Sequence, residues 1–199
     1  MKTRIVITGT SGVGKTYLES LLHNDYGFIQ LPKYTNRPKR PGEIEGKGIY
    51  FVKKRELSNQ DNKYFFSLDY SGYTYSWKNS DLKTYVDYNL TMAITLESLS
   101  GLLNSEMGFI PIILYIDKNN IDLLIERIKL QLNYYNLKNN EKEDADRIIE
   151  KRILLAKKES NNIDKYLKNI NEQNRGMAFK IIDDLTIPNQ VIPYILSLM

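Results

Sequence analysis

Residues Gly9-Thr10-Ser11-Gly12-Val13-Gly14-Lys15-Thr16 follow directly on the apolar run Arg4-Ile5-Val6-Ile7-Thr8. A glycine, four residues, then glycine, lysine and a hydroxyl residue is the spacing of a phosphate-binding loop. Glycines let the backbone curl until successive N–H groups converge on one anion. The helix that follows turns its positive end to the same point. Lys15 then reaches the outer phosphates, and the Thr16 hydroxyl serves a magnesium ion. The β-branched strand before the loop and the helical spacing of Leu18, Leu21 and Leu22 after it supply the context the motif needs. The stretch predicts binding of a nucleoside triphosphate, ATP, with Mg2+.

A second set of anion-binding side chains lies in Arg37-Pro38-Lys39-Arg40-Pro41-Gly42-Glu43. Two arginines three apart, stiffened by prolines and a glycine, present planar forks that grip phosphate bidentately. Taken alone, the heptad reads equally as a solvated basic loop. Beside a donor loop it reads as the seat of a phosphorylated acceptor.

These side chains must be positioned by alternating strands and helices. Strand-like stretches fall at 27–31, 49–52, 64–68, 89–95, 109–116 and 178–182, with a turn at 72–76. The run 109–116 is almost wholly apolar, as a strand covered on both faces should be. Helical spacing falls at 15–23, 79–88, 97–104, 121–132, from 144 to about 167, and 189–199. Segment 133–143 is polar without an apolar period and reads as exposed and flexible. Such alternation after a phosphate loop implies a parallel sheet with helices on both faces.

Bulk properties narrow the classes. At 199 residues the chain suits one α/β domain. A net charge of +4 without a Lys/Arg block gives nucleic-acid binding no support. No apolar run reaches membrane-spanning length. The passage from Met1 straight into a strand leaves no room for a signal peptide, so a cytoplasmic location is expected. Zero cysteines exclude disulfides and thiolate metal sites. The single histidine, His23, excludes imidazole clusters and sits near the end of the first helix, where a surface or capping role is the plain reading.

The segment Thr35-Asn36-Arg37-Pro38-Lys39-Arg40-Pro41-Gly42-Glu43-Ile44-Glu45-Gly46 resembles the threonine-arginine-x-x-arginine-x-glycine-glutamate signature of guanylate kinases. Ser71-Gly72-Tyr73-Thr74-Tyr75 resembles the glycine-x-tyrosine-tyrosine turn of that family. Arg152-Ile153-Leu154-Leu155-Ala156-Lys157-Lys158-Glu159 resembles its arginine-leucine-x-x-alanine-x-x-glutamate helix, and Asp183-Asp184-Leu185 its terminal asparagine-aspartate-aspartate-leucine. The resemblance implies an α/β P-loop NTPase fold in a single domain. Its core would be residues 1–32 and 89–199, with a small α+β acceptor-binding insertion at about 33–88 and a helical lid at about 130–150. It also implies that Arg37, Arg40 and Tyr75 clamp the acceptor monophosphate, and that Arg127 and Arg152 cover the transferring group from the lid. A further phosphate-binding tyrosine of the family aligns with Ile49, so Tyr50 serves only if the register slips by one. A third lid arginine falls on Gln131. Arg147 either substitutes for it or pairs with Glu143 one turn away.

Positions that read guanine in the family are altered. A glutamate aligns with Phe66, a serine with Trp77, and an aspartate-x-aspartate with Ala93-Ile94-Thr95. Each buried polar edge of guanine left without a partner costs about 1–3 kcal/mol, which disfavours GMP. Two alternatives stand beside this: Asp69 takes the glutamate's place, or Phe66 and Trp77 belong to the core of the insertion and touch no ligand. For magnesium, Thr16 remains. Asp117 ends an apolar strand, either as a metal-ordering carboxylate or as a helix cap, and Glu97 and Asp69 are weaker candidates. The expectation is a nucleoside monophosphate kinase-like phosphotransferase acting on a small molecule, without nucleic-acid or membrane partners, as a monomer or homodimer. The alternatives are a catalytically silent binding module and a kinase for a non-nucleotide phosphate ester.

Overall fold

A computed structural model of the chain describes residues 2–39, 43–57, 62–105, 107–117, 120–131, 139–172 and 176–199. Five strands form one all-parallel sheet: β1 (Arg4–Gly9), β2 (Ile29–Gln30), β7 (Leu90–Ala93), β8 (Ile110–Tyr115) and β9 (Met177–Lys180), in the order β2-β7-β1-β8-β9. Side chains alternate across a strand, so β1 feeds two cores. Ile5 and Ile7 pack with Leu18 and Leu22 of α1 (Lys15–Tyr26), Leu124 and Ile128 of α4 (Ile121–Gln131), Ala156 of α5 (Asn139–Asn161) and Ile195 of α7 (Ile192–Ser197). Val6 faces the other layer, with Leu99 and Leu102 of α3 (Leu99–Leu103), Phe109 and Ile163 of α6 (Ile163–Glu172). Both faces being covered is why these strands carry continuous apolar runs.

A second sheet of four strands lies in residues 33–78: β3 (Lys33–Thr35), β4 (Ile49–Phe51), β5 (Tyr64–Tyr70) and β6 (Tyr73–Lys78), ordered β4-β3-β6-β5 and followed by α2 (Asn79–Thr84). Trp77, on its inner face, joins the Val6 layer, which ties this sheet to the main body.

The structure departs from the sequence expectation in four places. Only Ser71 and Gly72, both at positive φ, make the tyrosine-rich turn, and Tyr73–Lys78 is a full strand. β3 is three residues long, too short to show a period. The long helix starts at Asn139 and breaks at Asn162 before α6. Within the expected lid, Asn139–Glu143 are helical, while residues 132–138 lie outside the described residues.

Candidate active site

β1 runs into the loop Gly9–Thr16 at the C-terminal edge of the parallel sheet, and the Thr10 N–H donates to the Leu114 carbonyl at 3.2 Å. Gly9 has φ +142°, and a Cβ there would lie 1.8 Å from the Leu114 oxygen, so the curl against β8 admits only glycine. Gly14, at φ +110°, opens α1 with no side-chain cap and no acidic residue in the first turn. The first-turn N–H groups are therefore left for an external anion. The Lys15 ammonium folds over the loop, donating to the Gly9 carbonyl at 2.7 Å and the Thr10 carbonyl at 2.8 Å. Desolvation by burial pulls its pKa down to about 8, against the attraction of Glu159. The Thr16 hydroxyl stands exposed at the end of the loop.

Three residues around this loop were given no role from the sequence: Glu159, Tyr70 and Glu19. Glu159, on α5, accepts the Ser11 N–H at 2.6 Å, so the loop already holds one carboxylate in an amide seat. Tyr70, on β5, stands close enough to the loop for Ser11, Glu159 and Arg152 to act on its hydroxyl, and Arg152 acts electrostatically on Lys15 as well. Glu19, one turn beyond Lys15, is only 1% exposed and accepts Gln30 Nε2 at 3.1 Å. Burial raises its pKa against the pull of Lys33 and Lys15. One signal was available in the sequence: Glu19 sits four residues after Lys15, on the same helix face.

The second sheet sorts the expected acceptor residues by face. Cross-strand partners Thr35↔Tyr75, Thr35↔Phe51, Leu68↔Tyr75, Phe66↔Trp77 and Tyr70↔Tyr73 share the inner face, with Lys33 two residues before Thr35. Tyr34↔Tyr50, Tyr34↔Ser76 and Asp69↔Thr74 share the outer one. Arg37 reaches the inner side, 7% exposed, with its guanidinium carbon 5.3 Å from the centre of the Phe51 ring. It pairs with the Glu43 carboxylate through two nitrogens and also donates to the Pro38 carbonyl at 2.8 Å. Desolvation works against its charge, but Glu43 and the Tyr75 hydroxyl more than offset this and hold its pKa above the ordinary value. Its Nε is buried with no hydrogen-bond partner.

Three expected acceptor contacts are placed elsewhere. Tyr50 stacks on Tyr34 at 5.0 Å on the outer face, away from Tyr75. Asp69 is exposed on that outer face and accepts the Thr74 hydroxyl at 2.6 Å. Trp77 is 2% exposed inside the core and lines no cleft. Phe66 is half-buried on the inner face, 5.9 Å from Trp77. Arg40 lies outside the described residues, as does the side chain of Gln131.

Of the two expected lid arginines, Arg152 acts electrostatically on Lys15 of the loop and Arg127 is tied down behind it. Arg127 donates to the Val13 carbonyl at 3.2 Å, the Asp183 carbonyl at 3.1 Å and the Asp184 carboxylate at 2.6 Å. Arg147 pairs with Glu143 at 3.0 Å on the exposed helix surface. Among the metal candidates, Asp117 accepts Lys180 Nζ at 2.8 Å and Glu97 accepts Lys158 Nζ at 3.1 Å. Among the described residues no group of three His, Cys, Asp or Glu could hold a metal ion. No helix among them is long and apolar enough to cross a membrane.

A parallel sheet whose middle strand opens into a glycine cradle under a lysine defines an α/β fold of the P-loop NTPase class. Within that class the chain belongs to the guanylate kinase family, whose family model matches residues 1–174. A guanylate kinase of Blochmanniella floridana is 27% identical over 115 residues, 54% of this chain and 54% of its own length. One of Lactiplantibacillus plantarum is 37% identical over 81 residues, 40% of this chain and 39% of its own. The chain thus spans about half the length, or less, of these curated relatives. The crystal structure of guanylate kinase from Anaplasma phagocytophilum superposes with a TM-score of 0.60 over 99% of this chain and 86% of that chain. At 15% identity, that likeness is one of fold.

Proposed function

We propose that the chain transfers the γ-phosphoryl group of ATP to a phosphorylated small molecule, a nucleoside monophosphate, without selectivity for GMP. The observation that carries this is the approach of Tyr70, on the inner face of the second sheet, to Ser11 of the phosphate loop. It supports a cleft in which Arg37 and Tyr75 on one side face Lys15 and Arg152 on the other.

An acceptor phosphate oxygen attacks the γ-phosphorus. The bond to the β,γ-bridging oxygen breaks, leaving ADP and a diphosphorylated acceptor. No general base is needed, because the acceptor phosphate is already anionic near neutral pH. The protein's share is positioning and neutralisation. Arg37 and Tyr75 orient the acceptor, while Lys15 and Arg152 balance charge on the donor. The loop fits such a ligand, since the Glu159 carboxylate already sits on its Ser11 amide. Mg2+, when bound, would neutralise charge between the donor phosphates. Thr16 would hold it, with phosphates and water filling the remaining sites, as is usual for this ion.

Against GMP stand the two hydrophobic residues Phe66 and Leu68 beside Tyr75 on the inner face. The same pair favours a second reading, a phosphate ester carrying an apolar group. The test is ADP release measured across all ribo- and deoxyribonucleoside monophosphates, with Lys15→Ala as the inactive control. Turnover of a monophosphate other than GMP, at a rate at least equal to GMP, is expected. Thermal stabilisation by ATP but by no monophosphate would overturn the nucleotide reading.

A further inference from the structure

Helix α5 addresses the phosphate loop with two opposite charges. Arg152 and Glu159 are seven residues apart, two turns, and so share a face. Both act electrostatically on Lys15 and on Tyr70. The helix itself is anchored by apolar side chains on that stretch, with Ala156 fully buried and Ile149 and Ile153 in the same core. The Ser160 hydroxyl also donates to the Ile116 carbonyl at 3.2 Å. Anchoring of α5 therefore does not require the Glu159 carboxylate to reach the loop. It reaches the loop nevertheless, and accepts the Ser11 N–H at 2.6 Å.

An amide of a phosphate loop is a seat for an anion, and one seat does not serve two. A triphosphate brought to this loop meets a carboxylate of like charge in a partly desolvated site, where repulsion is stronger than in water. We propose that Glu159 is a positioning residue of the donor site: its carboxylate stands in for phosphate on the Ser11 amide, yields to the terminal phosphoryl group of a nucleoside triphosphate, and thereby sets donor affinity. Because Arg152 rides on the same helix face, the movement that withdraws the carboxylate leaves the guanidinium as the charge α5 presents to the loop. This rests on the reading of Gly9–Thr16 as a triphosphate loop.

The alternative role, a brace that holds the loop in shape, has the opposite consequence for binding, and calorimetry separates the two. The full-length chain is titrated with magnesium and the β,γ-imido analogue of ATP, as wild type, Glu159→Gln and Glu159→Ala. Each protein's melting transition is recorded to show that it is folded. Removing the competitor is expected to tighten binding on the order of tenfold, the scale of one hydrogen bond to a charged group. The ratio of wild-type to variant Kd should then shrink towards one as pH is lowered through the range in which Glu159 protonates. A neutral carboxyl competes no better than an amide. The other groups that face Glu159 are Lys15 on α1, Tyr70 on β5, Glu97 after β7, Arg152 and Lys158 on α5, and Tyr166 on α6. They are present in all three proteins, but Glu159 itself supports the Lys15 charge, so the ratio is read on the acid side, where Lys15 stays protonated. Binding by wild type, with equal or weaker binding by both folded variants, overturns the proposal and leaves the triphosphate reading standing. Absence of binding by all three overturns that reading, and this proposal with it.

Discussion

The proposed donor and acceptor sides of this molecule offer the same chemical group two differently built seats. The donor seat is made of backbone: glycines at positive φ, an uncapped helix start and a lysine folded over them. Its geometry follows from eight consecutive residues. The proposed acceptor seat is made of side chains carried on four short strands or, like Arg37, just beyond one, and a shift of one residue reverses which strand side chains point inward. Ile49 and Phe51 face Arg37's side while Tyr50, between them, faces away. A backbone seat tolerates almost any side chain at its variable positions, whereas a side-chain seat is redefined by every substitution.

The sharpest way to break this division is to remove Arg37, the cation proposed for the acceptor side. Arg37→Ala should lower acceptor-dependent turnover on the order of 10²–10³-fold, the usual loss for one preorganised charge-stabilising donor. The Kd for the magnesium–ATP analogue should stay within about twofold, because the phosphate loop is built without Arg37. Steady-state kinetics and calorimetry on the same preparation read both numbers. Equal weakening of the two ligands would show that the sites are not separate. Since Glu43 would then keep a half-buried carboxylate without its main partner, Arg37→Lys serves as the companion variant that retains the charge.

The same contrast explains what could be read from the sequence. The parallel sheet was legible because strands buried on both faces are written as apolar runs, as in Phe109–Ile116. The loop was legible because its motif is local. Arg37 and Tyr75 were found through a resemblance, and they do come together. Asp69 and Trp77 could not be assigned in advance. Facing depends on pairing, and a register shift between Tyr64 and Phe66 offsets simple alternation along β5. Glu159 was visible within a motif, but its contact with Ser11 spans 148 residues, and no local pattern encodes such a meeting. Glu19 carried a local signal of position but none of burial.

The face assignment can be sharpened with two conservative changes. Tyr75→Phe removes a hydroxyl that helps hold the Arg37 charge, and should raise the acceptor KM by roughly tenfold, the scale of one hydrogen bond to a charged group. Tyr50→Phe alters a ring stacked on Tyr34 on the far face and should leave KM unchanged. Reversal of that order would mean that the register in solution is shifted by one.

On the donor side, the depressed Lys15 pKa of about 8 gives a pH dependence of intermediate size. A lysine whose pKa is lowered in the free protein loses its charge as pH rises through that value. A bound polyphosphate favours the charged form and drives the pKa back up, so binding takes up a proton above about pH 8. Affinity for the magnesium–ATP analogue should fall roughly fourfold between about pH 7 and pH 8.5. Proton uptake should appear as a dependence of the binding enthalpy on the buffer used. Lys15→Arg, whose charge does not titrate in this range, should abolish both effects.

The smallest expected effect tests the inner face at its deepest residue. Trp77 is 2% exposed, and its indole N–H is buried without a hydrogen-bond partner. Trp77→Phe gives up packing area in the Val6 layer but also removes a polar group that folding leaves unsatisfied. The two terms oppose each other at about 1–3 kcal/mol each. Stability should therefore change by no more than about 1 kcal/mol in chemical denaturation, and acceptor KM should not change. A rise in KM at unchanged stability would place the indole against the acceptor after all. It would also move the boundary between core and cleft one residue pair further along β5 and β6 than the burial of Trp77 puts it.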